Sequence, residues 1–379
     1  MTDTGTSTAV RITAYGALSA AGLGGKALNE AVQAGALPYA GANTQAAEIV
    51  GEGPLPPLRL FPVPDFNARE HLGRKGLSSL SRTATLGMSA CALALEGLEE
   101  PVPDAERSAT GVVLGTSTGS ARAFAEFFRD TYEQELPYFV SPALFPGILL
   151  NHAASQVAMR NAFTGVNASL AGGQISALSA LRYARNALLT GQATRLLTGA
   201  MEELSAQSVW AWRHGGAPAG HPIGEGSAVF VLERGTDGPQ PSTVAELLAC
   251  EVGFTPVDDG PHEVADTLAG CIMRALAAGG VKAAELGVVS VGATGVGGWS
   301  AVETRGRRRA LEGCRPLVLR VQEVLGETYS ASGALQLAAL LAHWETDDAA
   351  DVTRFGLVTS VGADGSVAAA LLRRPRRRS

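Results

Sequence analysis

No apolar run in the 379-residue chain approaches the roughly 20 residues that a helix needs to cross a bilayer. The longest candidates, such as Ala334 to Leu341, have the length of a core helix. The start, Met1 to Ala9, is polar and carries no signal-peptide apolar region, so the expected location is cytoplasmic, with no membrane partner. Cysteine is scarce: Cys91, Cys250, Cys271 and Cys314 lie far apart, with neither zinc spacing nor a disulfide pattern, and all four are expected to be buried small apolar residues. Metal-ligand spacing is absent. The Gly-x-Ser-x-Gly elbow of a Ser-His-Asp hydrolase is missing. Gly295-Val296-Gly297-Gly298 falls short of the Gly-x-Gly-x-x-Gly of a dinucleotide loop. Neither a cofactor nor a metal is therefore expected. Basic residues are outnumbered, 30 against 36, and the net charge of -6 gives no field for nucleic acid. The strongly basic run Arg373 to Arg378 is either a solvated tail or a site for an acidic partner.

What the chain does have is glycine, 46 residues of it, and 46% hydrophobic against 17% charged residues. That balance and length suit an α/β protein with two cores of ordinary domain size. Val10 to Tyr15 is a β-like run closed by Gly16, and Ala21 to Ala34 turns helical. A proline-studded loop, Glu52 to Asn67, precedes a helix at Ser78 to Leu98. Strand Gly111 to Gly115, loop Thr116 to Ser120 and helix Ala121 to Tyr132 follow, then Ser141 to Ala162, helical after Pro146, and strands Arg195 to Ala200 and Gly224 to Arg234. After the linker Gly235 to Pro241 the plan repeats. Strand Ser242 to Gly253, helix His262 to Ala278, β-run Val288 to Gly295, helix Glu303 to Leu311, strand Pro316 to Val321, helix Ser332 to Trp344 and a terminal hairpin, Phe355 to Ser360 with Val367 to Leu372, complete it. Strands alternating with helices predict parallel sheet covered on both faces. The similar element order of the two halves suggests an internal duplication split near residue 240.

One stretch, Gly165 to Leu181, organises the rest. A small-residue turn, Ala171 to Gly173, feeds a helix whose apolar residues Ile175, Leu178, Leu181 and Leu188 recur at three, three and seven, so one stripe faces a core. Gln174 stands in its first turn, where unpaired N–H groups and the positive dipole end stabilise an anion and where many enzymes hold an activated thiolate or hydroxyl. A glutamine supplies neither. From this stretch alone, Gln174 is a helix-start polar residue or the remnant of such a site.

Three further stretches carry a resemblance. Gly224-Glu225-Gly226-Ser227-Ala228-Val229 stands before a strand, Leu197 to Glu203 ends one, and Thr359 to Val367 spans the terminal hairpin. In order and spacing they resemble the Gly-Glu-Gly-Ala-Gly, Ala-Gly-Gly-Ala-Glu-Glu and Asn-Ser-Phe-Gly-Phe-Gly-Gly-Thr-Asn motifs of the β-ketoacyl synthases of the thiolase-like superfamily. The resemblance covers nearly the whole chain. It implies a thiolase-like α/β fold: two fused similar βαβ-type halves, residues 1–240 and 241–379, with mixed sheets and layered helices.

Active members need a cysteine nucleophile at a helix start, which accepts the acyl chain, and two histidines that stabilise the enolate left when carbon dioxide departs. The resemblance puts the cysteine position on Gln174, nine residues after Gly165, and the histidine positions on Gly292 and Glu327. It thus implies three vacated roles and no catalytic residue. The histidines present, His71, His152, His214, His221, His262 and His343, fall outside these motifs and are expected on the surface or in packing. The pattern resembles the chain length factor, or ketosynthase-β subunit, of type II polyketide synthases. That branch commonly carries glutamine at the cysteine position, pairs with an active ketosynthase as a heterodimer served by an acyl carrier protein, and shapes a tunnel for the growing chain. At 379 residues the chain is short for the aromatic-polyketide members, which leaves aryl-polyene or reduced-polyene systems open. Helix Ala121 to Tyr132 matches the tunnel-lining segment, with Ala121, Phe124 and Phe128 on one face; the alternative is that Phe124 and Phe128, or Phe127, are core aromatics. The rival function is a malonyl-carrier-protein decarboxylase supplying starter units, which still needs both histidines. A third is a homodimeric binding or scaffold protein.

Overall fold

The computed structural model describes residues 10–38, 46, 49–50, 54–235, 243–293, 295–347 and 354–375. The polar start, the linker beyond Gly235 with the boundary at 240, and residues 376–378 of the basic run lie outside them. Among the described residues one continuous mixed sheet has eleven strands, ten on its main path and the two-residue Gly22–Leu23 paired with the end of β1: β1 Val10–Ser19, β2 Thr110–Gly115, β3 Asn167–Leu170, β4 Arg195–Glu202, β5 Gly226–Arg234, β6 Ala245–Phe254, β7 Leu286–Val291, β8 Leu317–Arg320, β9 Phe355–Val361 and β10 Ser366–Arg373. The first five run in the order β3-β2-β4-β5-β1 and the second five in the order β8-β7-β9-β10-β6. In each set the first three are parallel and the last two antiparallel. Repetition of order and direction is what a duplicated unit produces. The two sets join where Val10–Ile12 of β1 pairs with Ala245–Leu247 of β6.

The mixed sheet that the resemblance implies is the sheet observed, and the expected terminal hairpin is one of its antiparallel parts. A parallel return needs a crossover of a dozen or more residues, whereas β9 and β10 are separated by four residues, 362–365, which can only reverse the chain. The Ser141 to Ala162 stretch is helical after Pro146 as expected: the proline lies in the 3-10 segment Pro142–Ile148, and the α-helix starts beyond it at His152. Within the proline-rich loop, Arg59–Phe61 forms a second, two-stranded parallel sheet with Pro222–Gly224.

Nine helices position the site: α1 Gly24–Ala34, α2 Arg82–Glu96, α3 Ala121–Glu133, α4 His152–Asn161, α5 Ser176–Leu189, α6 Ala206–His214, α7 Pro261–Gly279, α8 Trp299–Leu311 and α9 Ser332–Thr346. Helices α2 and α4 cover the outer face of the first half-sheet, and α7 and α8 that of the second. Between the half-sheets lie α5 and α9, whose side chains share one core with strands of both. Twelve of the fifteen α9 residues are buried, as a helix apolar on every side requires. The α5 stripe Ile175, Leu178, Leu181 and Leu188 is buried as its spacing predicts.

Cys91, Cys250 and Cys271 are buried, and burial pushes the Cys250 thiol up to about 12; Cys314 corrects the expectation, being only partly buried beyond the end of α8. The start of the basic run is not a tail either. Arg373 pairs with Glu246 on the neighbouring strand, and the buried Arg374 donates to the carbonyls of Trp344 and Asp347.

An ion pair beside the small two-stranded sheet pins the proline-rich loop. Glu225 is fully buried and accepts from Arg82 at 2.5 and 2.7 Å, from Val63 N–H at 2.9 Å and from Leu204 N–H at 3.0 Å. Removing one partner of a buried pair leaves an uncompensated charge, costing about 3–5 kcal/mol, while replacing both is far cheaper. Arg82→Met is therefore expected to lower the urea midpoint sharply, and Arg82→Met with Glu225→Leu to recover most of the loss.

Candidate functional site

The parallel strands of both halves deliver their carboxyl ends to one place, as ligand sites of α/β sheets do. Segments following β2, β3, β4, β7 and β9, together with residues of α6 and Glu327 to Tyr329, line a cleft of about 760 Å³. Gln174, Gly292 and Glu327, at 174, 292 and 327 in the chain, all face it.

Gln174 lies in the 3-10 turn Gly173–Ile175 that leads into α5. Its Oε1 accepts from Ala363 N–H at 3.4 Å, and its carbonyl accepts from Ser360 Oγ at 3.0 Å, so the β9–β10 turn secures it. Gly292 follows β7. Its N–H and that of Ala293 donate to the buried carboxylate of Glu303 at 3.2 and 2.9 Å, and Thr359 Oγ1 donates to it at 2.6 Å. A Cβ on Gly292 would stand 2.3 Å from Gln336 Oε1. Gln336 is fully buried on α9 and is held by Ser290 and Thr359 carbonyls at 3.1 and 2.8 Å, so any side chain at 292 displaces a fixed group. Glu327 is clamped by the small sheet: its N–H donates to Pro222 at 2.9 Å, its carbonyl accepts from Gly224 at 2.9 Å, and its Oε1 accepts from Tyr329 N–H at 2.8 Å. Gly326 before it has φ +77°, and a Cβ there would lie 3.0 Å from the Pro222 backbone. That turn requires glycine.

Two carboxylates at the end of β4 complete the floor. Burial raises the Glu202 pKa to about 7, against the pull of hydrogen bonds from the Ser330 and Thr118 hydroxyls. Glu203 is likewise raised by burial, opposed by four donors: Thr83 N–H at 3.1 Å, Thr83 Oγ1 at 2.8 Å, Ser120 Oγ at 3.0 Å and Arg122 N–H at 3.1 Å. Tyr329 stands over them at φ 48°, edge-on to Trp212 with ring centroids 5.7 Å apart, its hydroxyl pKa raised by burial and then by Glu202, Asp364 and Glu327. Among the described residues the lining holds four carboxylates, Glu202, Glu203, Glu327 and Asp364, and no cysteine, histidine, lysine or arginine. Such a surface offers carboxyl oxygens, with burial holding Glu202 and Glu203 toward the protonated form.

Ala121, Phe124 and Phe128 do not line this cleft. They lie on α3, no residue of which is buried. Phe124 and Phe128 are 50% and 41% exposed, with ring centroids 4.4 Å apart, and Phe127 reaches Phe145 at 6.1 Å. Neither Phe124 nor Phe128 is thus a core aromatic of this chain. Sequence reasoning missed Gln336, which fills the place beside Gly292 from a helix 44 positions away, and missed the chemistry of Glu202 and Glu203. The signal for the pair was present in Met201-Glu202-Glu203, an acidic doublet at the end of a largely apolar strand.

Residues 9–238 match the β-ketoacyl synthase N-terminal domain, and the chain belongs to the β-ketoacyl synthase family. 3-oxoacyl-[acyl-carrier-protein] synthase 2 of Rhizobium meliloti (strain 1021) is 24% identical over 255 residues, spanning 60% of this chain and 60% of the relative's length. The structure of the ishigamide ketosynthase/chain length factor superposes with a TM-score of 0.82 at 32% identity, over 97% of this chain and 100% of that one. The ketosynthase ApeO in complex with its chain length factor ApeC from Xenorhabdus doucetiae superposes with a TM-score of 0.76 at 17% identity, over 99% and 100%. A β-ketoacyl synthase of Burkholderia phymatum STM815 gives 0.80 at 20% identity, over 97% and 100%. The thiolase-like fold inferred from the motifs is the fold observed. Among the described residues no helix is long and apolar enough to cross a membrane.

The buried Glu202 sets a pH dependence. Its folded pKa of about 7 lies above the ordinary 4.5, so between those values the folded chain keeps a proton that the unfolded chain has released. Stability therefore falls as pH rises through that window, by up to about 3 kcal/mol from this group. Glu202→Gln is expected to flatten the difference in urea stability between pH 5 and pH 8, and an unchanged difference would contradict it.

Proposed function

We propose that the chain is a non-catalytic chain length factor subunit, paired with an active β-ketoacyl synthase and serving an acyl carrier protein. One observation carries this reading: the three positions that the family resemblance assigns to cysteine, histidine and histidine, Gln174, Gly292 and Glu327, share one cleft whose described lining has no thiol and no imidazole. Condensation needs a thiolate to take the acyl chain, and decarboxylation needs positive or donating groups at the enolate oxygen. Carboxylates there oppose the negative charge that develops. The likeness to a ketosynthase/chain length factor at 32% identity supports the same assignment.

The surface supports a partner. β3 is an outermost strand of the sheet, paired on one side only among the described strands. Around α3 and the following 3-10 segment, Phe124, Phe128, Phe139, Leu144, Phe145 and Leu149 are all exposed. An open sheet edge and a large apolar patch both mark association sites. The decarboxylase alternative loses support from Gly292, whose missing side chain has its space occupied by Gln336, and from the Glu327 carboxylate. The scaffold alternative differs only in its partner.

Three outcomes test the proposal. The chain by itself is expected to release no carbon dioxide from malonyl-carrier protein; release abolished by Gln174→Ala would establish the decarboxylase instead. Light scattering is expected to give a heterodimer with the partner ketosynthase, and a lone chain that remains monomeric beside it would count against pairing. In the complex, Ala121, Phe124 and Phe128 are proposed to line the tunnel, so Phe124→Ala and Phe128→Ala should lengthen the product by one or more extension units by mass spectrometry. Unchanged lengths from a soluble complex of both variants would remove that role.

A further inference from the structure

The cleft is walled by aromatic rings as well as by acids. Three rings reach it from separate elements: Trp212 from α6, Trp299 from the start of α8 and Tyr329 from the turn before α9. Each is partly buried, so none is sealed in a core. Trp212 meets Tyr329 edge-on. Gly297 has φ +62°, and a Cβ there would stand 2.9 Å from the Trp299 indole nitrogen, so that ring lies back against its own loop at the cleft wall. Ile223, Val296 and Val361 add aliphatic surface beside the rings.

Carboxyl groups share the same wall. Glu202 and Glu327 are 4% and 2% exposed, while Asp364 is exposed on the β9–β10 turn. They come from distant segments, yet the charge of all three reaches the Tyr329 hydroxyl and holds its proton on. Glu203 is different, because it lies in the field of Arg82 and raises that guanidinium's pKa. No lysine, arginine or histidine of the described lining answers the other three. Donors for an anion are already committed: Gly172 N–H donates to Ser176 Oγ and Ser117 N–H to Ser330 Oγ, both at 2.9 Å, and the N–H groups of Gly292 and Ala293 to Glu303. A ring face attracts a cation through the negative potential above it, and carboxylates supply the opposite charge. A mostly apolar cleft of about 760 Å³ with a few convergent polar groups accommodates a small organic molecule. We propose that this cleft binds a small organic ammonium ion with an apolar body, the body lying against Trp212, Trp299 and Tyr329 and the charge met by Glu202, Glu327 and Asp364. Such binding needs only this chain and is independent of the pairing proposed above. Glu202 faces the hydroxyls of Thr118, Ser330 and Tyr329, the Ser117 N–H and the Glu203 carboxyl, with no basic side chain among the described lining, so the ammonium binds its ionised form and displaces its proton.

Calorimetry on the full chain, by itself and in complex with its ketosynthase, compares three probes of nearly one size: phenethylammonium, phenethyl alcohol and phenylacetate. The ammonium is expected to bind at least about tenfold more tightly than the alcohol, and phenylacetate more weakly than either. Affinity for the ammonium should rise from pH 6 to pH 8, as Glu202 ionises, and affinity for the alcohol should stay level. Asp364→Asn keeps an oxygen to accept from Ser366 N–H, and it is expected to cut the preference for ammonium over alcohol at least about threefold. Trp299→Leu is expected to weaken ammonium binding by a similar factor. Equal affinity for ammonium and alcohol would overturn the proposal, as would a preference that both variants leave unchanged while circular dichroism shows them folded. Displacement of the ammonium by potassium chloride but not by choline chloride at equal ionic strength would give the acidic wall to an inorganic ion and overturn it equally. Ammonium binding by a chain that does not pair with the ketosynthase defeats the proposed function alone, whereas pairing without ammonium binding defeats the ligand site alone.

Discussion

Helices α5 and α9 lie back to back between the two half-sheets, and their close approach fixes everything at the cleft. A Cβ on Gly333, in the first turn of α9, would lie 3.2 Å from the Ala177 Cβ and 3.3 Å from the Leu178 Cγ of α5. Small residues at the contact let the helices meet, and each helix start then stands over the carboxyl ends of one set of parallel strands. Gln174 arrives before α5, and Tyr329 and Ser330 before α9. A larger residue at 333 would spread the helices and separate the walls of the cleft.

Around that core the chain buries an unusual set of carboxylates: Glu202, Glu203, Glu225, Glu303 and Glu327. A buried charge without partners is costly, and each of these is supplied with donors from segments far apart in the chain. Glu303 ties the turn after β7 to β9 through Gly292, Ala293 and Thr359, and Glu203 ties α2 to the start of α3 through Thr83, Ser120 and Arg122. The cleft is thus a hydrogen-bonded structure built on carboxylates, held stiff without a thiolate or an imidazolium.

The fold was legible where chemistry is local. Gly-rich turns, the α5 stripe, the terminal hairpin and the repeat of element order all follow from spacing within a few tens of residues. Cys314 was misjudged because it packs against the edge of the second core and is covered only in part, which depends on segments far from it in the chain. The concentration of six arginines at 305–320 was visible in sequence, yet which of them find an acid was not. Only folding brings Asp266 to Arg309 and, among the described residues, gives Arg305 and Arg308 no acid.

The sequence by itself determined the family, the duplicated order of strands and helices, and the residue types at 174, 292 and 327, because motif wording and periodicity are carried by neighbouring residues. Tertiary structure alone decided that those three positions share one cleft, that Gln336 fills the space beside Gly292, and that Glu202 sits in a medium that raises its pKa to about 7. Convergence, steric occupancy and desolvation are properties of distances between segments far apart in the chain, and those distances are set only when the half-sheets close on α5 and α9.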